Sequence, residues 1–287
     1  MQATQAYLQG WKIVLQNKRM WAILFGFNFL LALIGTVPVS GYLQQSLGQS
    51  LAASKLLEGF NYTLVSDLLN QYGEGIALIM DQSQMLLLAF FLLSVFLMGG
   101  ILVVFKHKTE FDFARFWNGC FYYFWRLLRL TIYFLLIQGF ILFIFGFIFL
   151  KATNGLFPFA LESDKQVIVA FQWLAPFYLF IACMFFMIQD YAKIHIVEAD
   201  RFLLTKPLLE VFRIVFKNFG RFALLYILNI LTLLVFAGIY WGLSQIVEHY
   251  LLLVFIAGQL FILARIVLKL LNLSSATLLY QNAITPV

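Results

Sequence analysis

Residues 190–221 read DYAKIHIVEADRFLLTKPLLEVFRIVFKNFGR, and this stretch decides the fold. Ten of its 32 positions are charged, although the whole 287-residue chain has only 32 charged residues. It joins two strongly apolar segments, and its second half has the apolar spacing of an amphipathic helix. We therefore predict a helix that lies along a membrane surface between two membrane-spanning helices.

The composition excludes an ordinary soluble domain. Hydrophobic residues make up 63% of the chain and charged residues 11%, and the mean hydropathy is +0.92. Soluble domains are about a quarter charged, so this chain could not cover its own surface with polar groups. Runs of about 20 apolar residues fit a bilayer core, and they lack the alternation of a transmembrane barrel. We predict an all-α, polytopic helical membrane protein.

Six apolar segments are long enough to span a membrane. They are Met20–Gly41, Gln84–Phe105, Leu130–Leu150, Val167–Ile188, Phe222–Leu243 and Tyr250–Leu271. The connector 42–83 has helical spacing at Leu56–Leu69, and we expect Gly73 and Gly75 to end that short helix. Residues 272–287 form a tail without side-chain charge.

The distribution of basic residues predicts the orientation. Sixteen of the 19 Lys and Arg side chains fall on one side of the six predicted spans, and the other three are Lys55, Lys151 and Lys165. By the positive-inside rule this places both termini in the cytoplasm. The same rule accounts for the net charge of +6, so we predict no nucleic-acid partner. Residues 1–287 are predicted to form a single membrane domain.

Three basic segments that precede spans resemble one another. Residues 11–24 align with 212–225 at an offset of 201, which pairs Asn17 with Asn218 and Asn28 with Asn229. Residues 117–130 align with the last segment at an offset of 95. We predict three cytoplasmic interfacial helices and a threefold parallel repeat, with units of about 1–105, 106–188 and 189–287. Any interfacial helix before a span would share some of these matches.

Polar residues within spans are the first candidates for function. The spans contain amides and almost no charge, and the amides are Asn28, Gln138, Gln172, Asn229 and Gln259. They can bond neighbouring helices or line a substrate path. Arg265 and Lys269 lie one turn apart near the end of the last span. They can bind a lipid phosphate, or simply extend their charges to the interface.

A cytoplasmic cluster follows the fourth span. In a continued helix Asp190 and Lys193 share one face, whereas His195 and Glu198 share another with Tyr191. The second set could act as an acid–base group, and a solvated, salt-bridged helix end is the alternative. The chain shows no metal-ligand spacing, phosphate-binding glycine loop or nucleophile motif. We predict no enzyme activity, metal or cofactor.

One family resemblance rests on the same stretch. Asp190 ends a span, Ile196-Val197-Glu198 follows, and an amphipathic helix at Leu208–Arg221 leads into the next span. In these features the chain resembles a family of uncharacterised bacterial polytopic inner-membrane proteins. It is similar, more loosely, to the membrane domain attached to some glycerophosphodiester phosphodiesterases. The resemblance implies a membrane module, without the catalytic domain of those enzymes.

Three functions remain open at this point. The first is a non-enzymatic scaffold, or the membrane subunit of an export or lipid-handling assembly. The second is a stand-alone channel or carrier for an apolar or lipid-like solute, and the third is a membrane enzyme that uses His195 and Glu198. The partners predicted are membrane lipids and a cytoplasmic or membrane protein.

Overall fold

The structure, a computed structural model, describes residues 2–47, 62–107, 110–153, 164–200, 205–247 and 250–284. These residues form eight helices and no strand. The helices are α1 (Ala3–Gln16), α2 (Lys18–Leu47), α3 (Tyr62–His107), α4 (Phe113–Ala152), α5 (Asp164–Ala199), α6 (Thr205–Lys217), α7 (Phe219–Val247) and α8 (Leu251–Ile284).

Six helices are long and apolar enough to cross a membrane. The spans are Lys18–Gly41, Ile79–His107, Phe113–Ala152, Val167–Ala199, Phe219–Ile246 and Leu252–Ile284. A helix satisfies its own backbone hydrogen bonds, which lipid cannot do. The all-α prediction with six transmembrane helices is confirmed, and the chain is a multi-pass membrane protein.

Two predicted interfacial helices are separate elements, and the third is not. α1 and α6 each precede a span, whereas residues 113–129 are the beginning of the 40-residue helix α4. Lys108 and Thr109, which precede α4 in the sequence, lie outside the described residues. α4 is continuous because the position that aligns with the Asn218 break is occupied by Tyr123, which does not interrupt the helix.

The breaks after α1 and α6 have the same local structure. Asn17 donates from Nδ2 to the Ile13 carbonyl oxygen at 2.8 Å, and Asn218 donates to that of Ile214 at 3.3 Å. Asparagine side chains compete in this way with the helical backbone. The two breaks therefore share an asparagine with this bond, but the bond alone does not end a helix, because Asn28 and Asn229 make it within unbroken helices. The threefold repeat itself stays a prediction.

Two expectations about connecting segments were wrong. Gly73 and Gly75 do not end a helix, because α3 runs through both and continues to His107. Each helical glycine costs only about 1 kcal/mol, and the apolar residues that follow propagate the helix. Of the predicted helix Leu56–Leu69, residues 56–61 lie outside the described residues.

The second wrong expectation was that a tail follows the last span at residue 272. Residues 272–284 are instead helical and belong to α8. Residues 273–280 are all buried, including Ser274, Ser275 and Thr277. These small side chains allow α1 to approach closely: a Cβ added at Gly10 would lie 3.0 Å from that of Ser275. The uncharged segment after Leu271 is therefore a helix end that is buried by other helices.

The described chain falls into two compact units. One comprises residues 19–94 and the other comprises residues 1–18 and 95–287. In the first unit, Leu86 of α3 packs on Gly35 of α2. The prediction of a single domain with three repeat units stays a prediction.

The larger unit has its core at one end of its helices, which we call the basic end. There α3, α5 and α8 end and α4 and α7 begin, and fully buried side chains include Phe105, Tyr191 and Tyr280. In each of α4, α5 and α8, only 6% of the most apolar 18-residue window is buried inside the protein. Those faces are therefore suited to contact lipid.

Candidate functional site

Three polar clusters surround the last turns of α5 at the basic end. The first, which we call the polar junction, consists of Asp190 and Lys193 of α5, Asn229 of α7, and Lys269 and Asn272 of α8. It unites residues that the sequence analysis had assigned to three separate groups.

Asp190 is the centre of the polar junction. Its carboxylate accepts from Lys193 Nζ at 3.2 Å and from Asn272 Nδ2 at 3.3 Å. Asn272 Oδ1 in turn accepts from Asn229 Nδ2 at 3.1 Å. The side chains of Asp190 and Lys193 are only 19% and 13% exposed. Hydrogen bonds thus connect three spans through one carboxylate.

The junction carries an excess of positive charge. Lys193 already forms an ion pair with Asp190, and Lys269 lies within electrostatic range of both groups. Arg265, Lys269 and Asn272 follow one another at spacings of four and three, so they share one face of α8. Lys269 and Arg265 are both exposed, and neither forms an ion pair within the part of the chain described here.

The second cluster surrounds His195, which is 5% exposed. Its Nδ1 lies 2.7 Å from the Tyr280 hydroxyl, and its Nε2 lies 3.4 Å from a carboxylate oxygen of Glu210. Glu198 accepts from Gln281 Nε2 at 2.7 Å. His195 and Glu198 therefore contact different partners, and these contacts tie α5 to α8 and α6.

Lys106 completes this packing at the end of α5. Its Nζ donates to the carbonyl oxygens of Val197 at 2.8 Å and Glu198 at 3.2 Å. The last carbonyls of a helix have no partner within the helix and carry partial negative charge. Lys106 supplies both a donor and a positive charge there.

The third cluster contains an ion pair between Arg126 and Asp200. Arg126 Nη1 lies 2.6 Å from Asp200 Oδ1, and the hydroxyls of Tyr122 and Tyr123 donate to the same carboxylate at 3.3 and 3.2 Å. Partial burial tends to raise the pKa of Asp200, but the hydrogen bond and charge of Arg126 and the two tyrosine bonds outweigh it. The pKa of Asp200 is therefore below its usual 3.8.

Asp200 also follows α5 in an unusual backbone conformation. Its φ is 48°, in the left-handed region that glycine normally occupies after a helix. Aspartate tolerates this region better than most residues. The ion pair with Arg126 gives a reason why aspartate, rather than glycine, stands at this position.

The remaining intramembrane amides are not brought into the polar junction. Asn28 Nδ2 donates to the Leu24 carbonyl oxygen of its own helix at 2.7 Å. Gln138 Nε2 is buried and has no hydrogen-bond partner among the described residues. Gln259 is half-buried in α8 and Gln172 is exposed in α5. Of the five predicted amides, only Asn229 is linked to another candidate residue, since Asn272 connects it to Asp190.

Sequence reasoning missed Asn272, Tyr280, Gln281 and the Arg126–Asp200 pair. The first three lay in the segment assigned to the tail. A usable signal was the helical spacing of Arg265, Lys269 and Asn272, which continues the polar face of the last span. In the described residues no group of three or more His, Cys, Asp or Glu side chains could hold a metal ion.

No protein family, curated protein or solved structure matches this chain. The resemblance to the bacterial inner-membrane family and to the phosphodiesterase membrane domain stays a prediction.

Proposed function

We propose that the protein is a lipid-handling membrane component that holds an anionic lipid beside the polar junction. Lys269 of the junction and Arg265, one turn before it on α8, would bind the lipid phosphate. The observation that supports this is a pair of exposed cations on one face of α8. The same face carries Asn272, which donates a hydrogen bond to Asp190 of α5. Cations within a span are costly unless they reach an anion or water. A lipid phosphate is an anion available at that depth.

The surroundings of the junction suit a lipid. Asp190 is already occupied by Lys193 and Asn272, so it leaves Lys269 largely unneutralised. The apolar windows of α5 and α8 are little buried and can accommodate acyl chains. The proposal places the basic end in the cytoplasm on the basis of the sequence distribution of Lys and Arg, and it takes the bacterial inner membrane from the family resemblance.

The test compares lipid retention in purified protein. Wild type and the double variant Arg265→Gln, Lys269→Gln are extracted in mild detergent, and bound lipids are counted by native mass spectrometry. At about 1 kcal/mol for each basic residue, the double variant should bind phosphatidylglycerol about 30-fold more weakly. Lys151→Gln is the matched control, because it removes an exposed cation at the opposite end of α4. Equal losses in both variants would contradict the proposal.

The same purification addresses the role as a subunit of an assembly. Extraction from native membranes followed by protein mass spectrometry should recover a stoichiometric partner if the chain is a membrane subunit. A pure protein that carries one enriched lipid would instead favour the second candidate function, a carrier.

Asn229 supports the carrier, because its buried Oδ1 lacks a partner within the described residues and its Nδ2 is linked through Asn272 to Asp190. Reconstituted lipid flux, with Asn229→Leu for comparison, would test it.

A further inference from the structure

An open cavity of about 820 Å³ lies between the end of α3 and the beginning of α4, separate from the polar junction. Its volume is within the usual range of small-molecule sites, roughly 300–1,000 Å³. The polar groups in its lining come from Lys106 and His107 of α3, from Asp112 before α4, and from Arg115, Asn118 and Tyr122 of α4.

Donors outnumber acceptors in this lining. Arg115 is cationic and exposed, and His107 and Asn118 add exposed nitrogen groups. Lys106 adds its charge, although its Nζ already donates to two carbonyl oxygens of α5. The one carboxylate is Asp112, and its Oδ1 accepts from the Ala114 backbone N–H at 3.1 Å. That carboxylate is therefore engaged with the start of α4, and the cavity has a net positive charge.

Close helix packing fixes the cavity wall. A Cβ at Gly99 would lie 2.7 Å from the Gly119 carbonyl oxygen, and a Cβ at Gly119 would lie 2.9 Å from Val103 Cγ2. On the other side, Tyr122 and Tyr123 are bonded to Asp200. These contacts fix the approach of α3 to α4 and the positions of the two tyrosines.

We propose that this cavity binds a phosphate group. Arg and Lys provide the charge-assisted hydrogen bonds that phosphate oxygens accept best. Phe121, which also lines the cavity, is 69% exposed. Aromatic side chains of this kind settle at the level of lipid headgroups. The phosphate is therefore that of a lipid headgroup or of a soluble phosphomonoester, and the experiment separates the two sources.

The experiment measures binding to the full-length protein with two pairs of probes. In detergent, glycerol phosphate is compared with glycerol by equilibrium dialysis. In nanodiscs, retention of phosphatidic acid is compared with that of diacylglycerol, which has the same chains but no phosphate. Arg115→Gln should weaken binding of the phosphate-bearing probe about tenfold or more. Arg129→Gln is the matched control, because it removes an exposed arginine from α4 outside the cavity lining.

A second variant guards against misfolding of the first. Asn118 is exposed and lines the cavity, so Asn118→Trp should place a bulky ring beside the proposed phosphate position without removing a charge. Both variants should lose phosphate binding, and the Arg265, Lys269 double variant should keep it at this site. Loss for glycerol phosphate identifies a soluble ligand, and loss for phosphatidic acid alone identifies a lipid. Binding of neither phosphate probe, or equal binding by the two cavity variants and Arg129→Gln, overturns the proposal.

Discussion

Replacement of Asp200 by asparagine should destabilise the basic end and remove part of its pH dependence. The asparagine side chain keeps an oxygen and tolerates the left-handed backbone, but it removes the negative charge with which Arg126 forms its ion pair. The Arg126 side chain is 8% exposed and that of Asp200 is 51% exposed. Loss of a fully buried partner costs about 3–5 kcal/mol, and an exposed pair contributes about 0–1 kcal/mol.

The exposure of Asp200 places the expected cost between these limits, at about 1–2 kcal/mol. For a chain of this size that corresponds to a fall in melting temperature of about 2–8 °C. The assay is thermal unfolding in detergent at about pH 7, with Asp81→Asn as the control because Asp81 is exposed. Asp200→Gly separates the two roles, since glycine relieves the backbone conformation and also lacks the carboxylate.

The pH dependence follows from the lowered pKa of Asp200. Because the folded pKa lies below the unfolded value, the ion pair contributes its full stability above about pH 4 and loses it as the pH falls through the folded pKa. The difference between wild type and Asp200→Asn should therefore be full at about pH 7 and should shrink as the pH falls below about 4. Equal stability at neutral pH, or an undiminished difference in acid, would refute the role of this ion pair.

Two further substitutions test the packing at the basic end. Gly100→Ala should cost roughly 1–3 kcal/mol, because the new Cβ would lie 2.6 Å from a backbone carbonyl oxygen and from a thiol of α4. Gly146→Ala in α4, where an added Cβ meets open space, should leave the melting temperature nearly unchanged. Tyr280→Phe should cost about 1–3 kcal/mol, since His195 would lose a buried partner, whereas Tyr133→Phe changes an exposed side chain and should have little effect. If a variant and its control have the same melting temperature, the corresponding contact does not stabilise the fold.

The transmembrane architecture could be predicted because it depends on local sequence. Runs of apolar residues specify spans wherever they occur, and the six spans need no knowledge of their neighbours. The amphipathic helix predicted at Leu208–Arg221 followed from a similarly local signal, the spacing of its apolar residues, and α6 occupies Thr205–Lys217. In contrast, the extent of helix beyond each apolar run depends on what covers it, and the sequence alone does not show this.

The segment after Leu271 is an example of such an extension. Its residues are too polar for a lipid-facing span and too weakly charged for a solvated helix. They form a helix because α1 packs on Ser275 and because Tyr280 and Gln281 bond to α5 and α3. Each of these contacts joins residues far apart in sequence. The polar junction was only partly visible for the same reason, since Asn272, which links Asp190 to Asn229, lay in the segment assigned to the tail.

Most polar groups at the end of α5 have a structural partner, and this narrows the search for function. Several helices begin or end there, and each end leaves backbone groups that need partners. Lys106 serves the carbonyls of α5, Gln281 serves Glu198, and Arg126 serves Asp200. Lys269 and Arg265 differ from these, because within the described helices no carboxylate comes within ion-pair distance of them. An exposed cation without such a partner adds little to the fold, so Arg265 and Lys269 are the first residues to compare with an anionic lipid and with a neutral one.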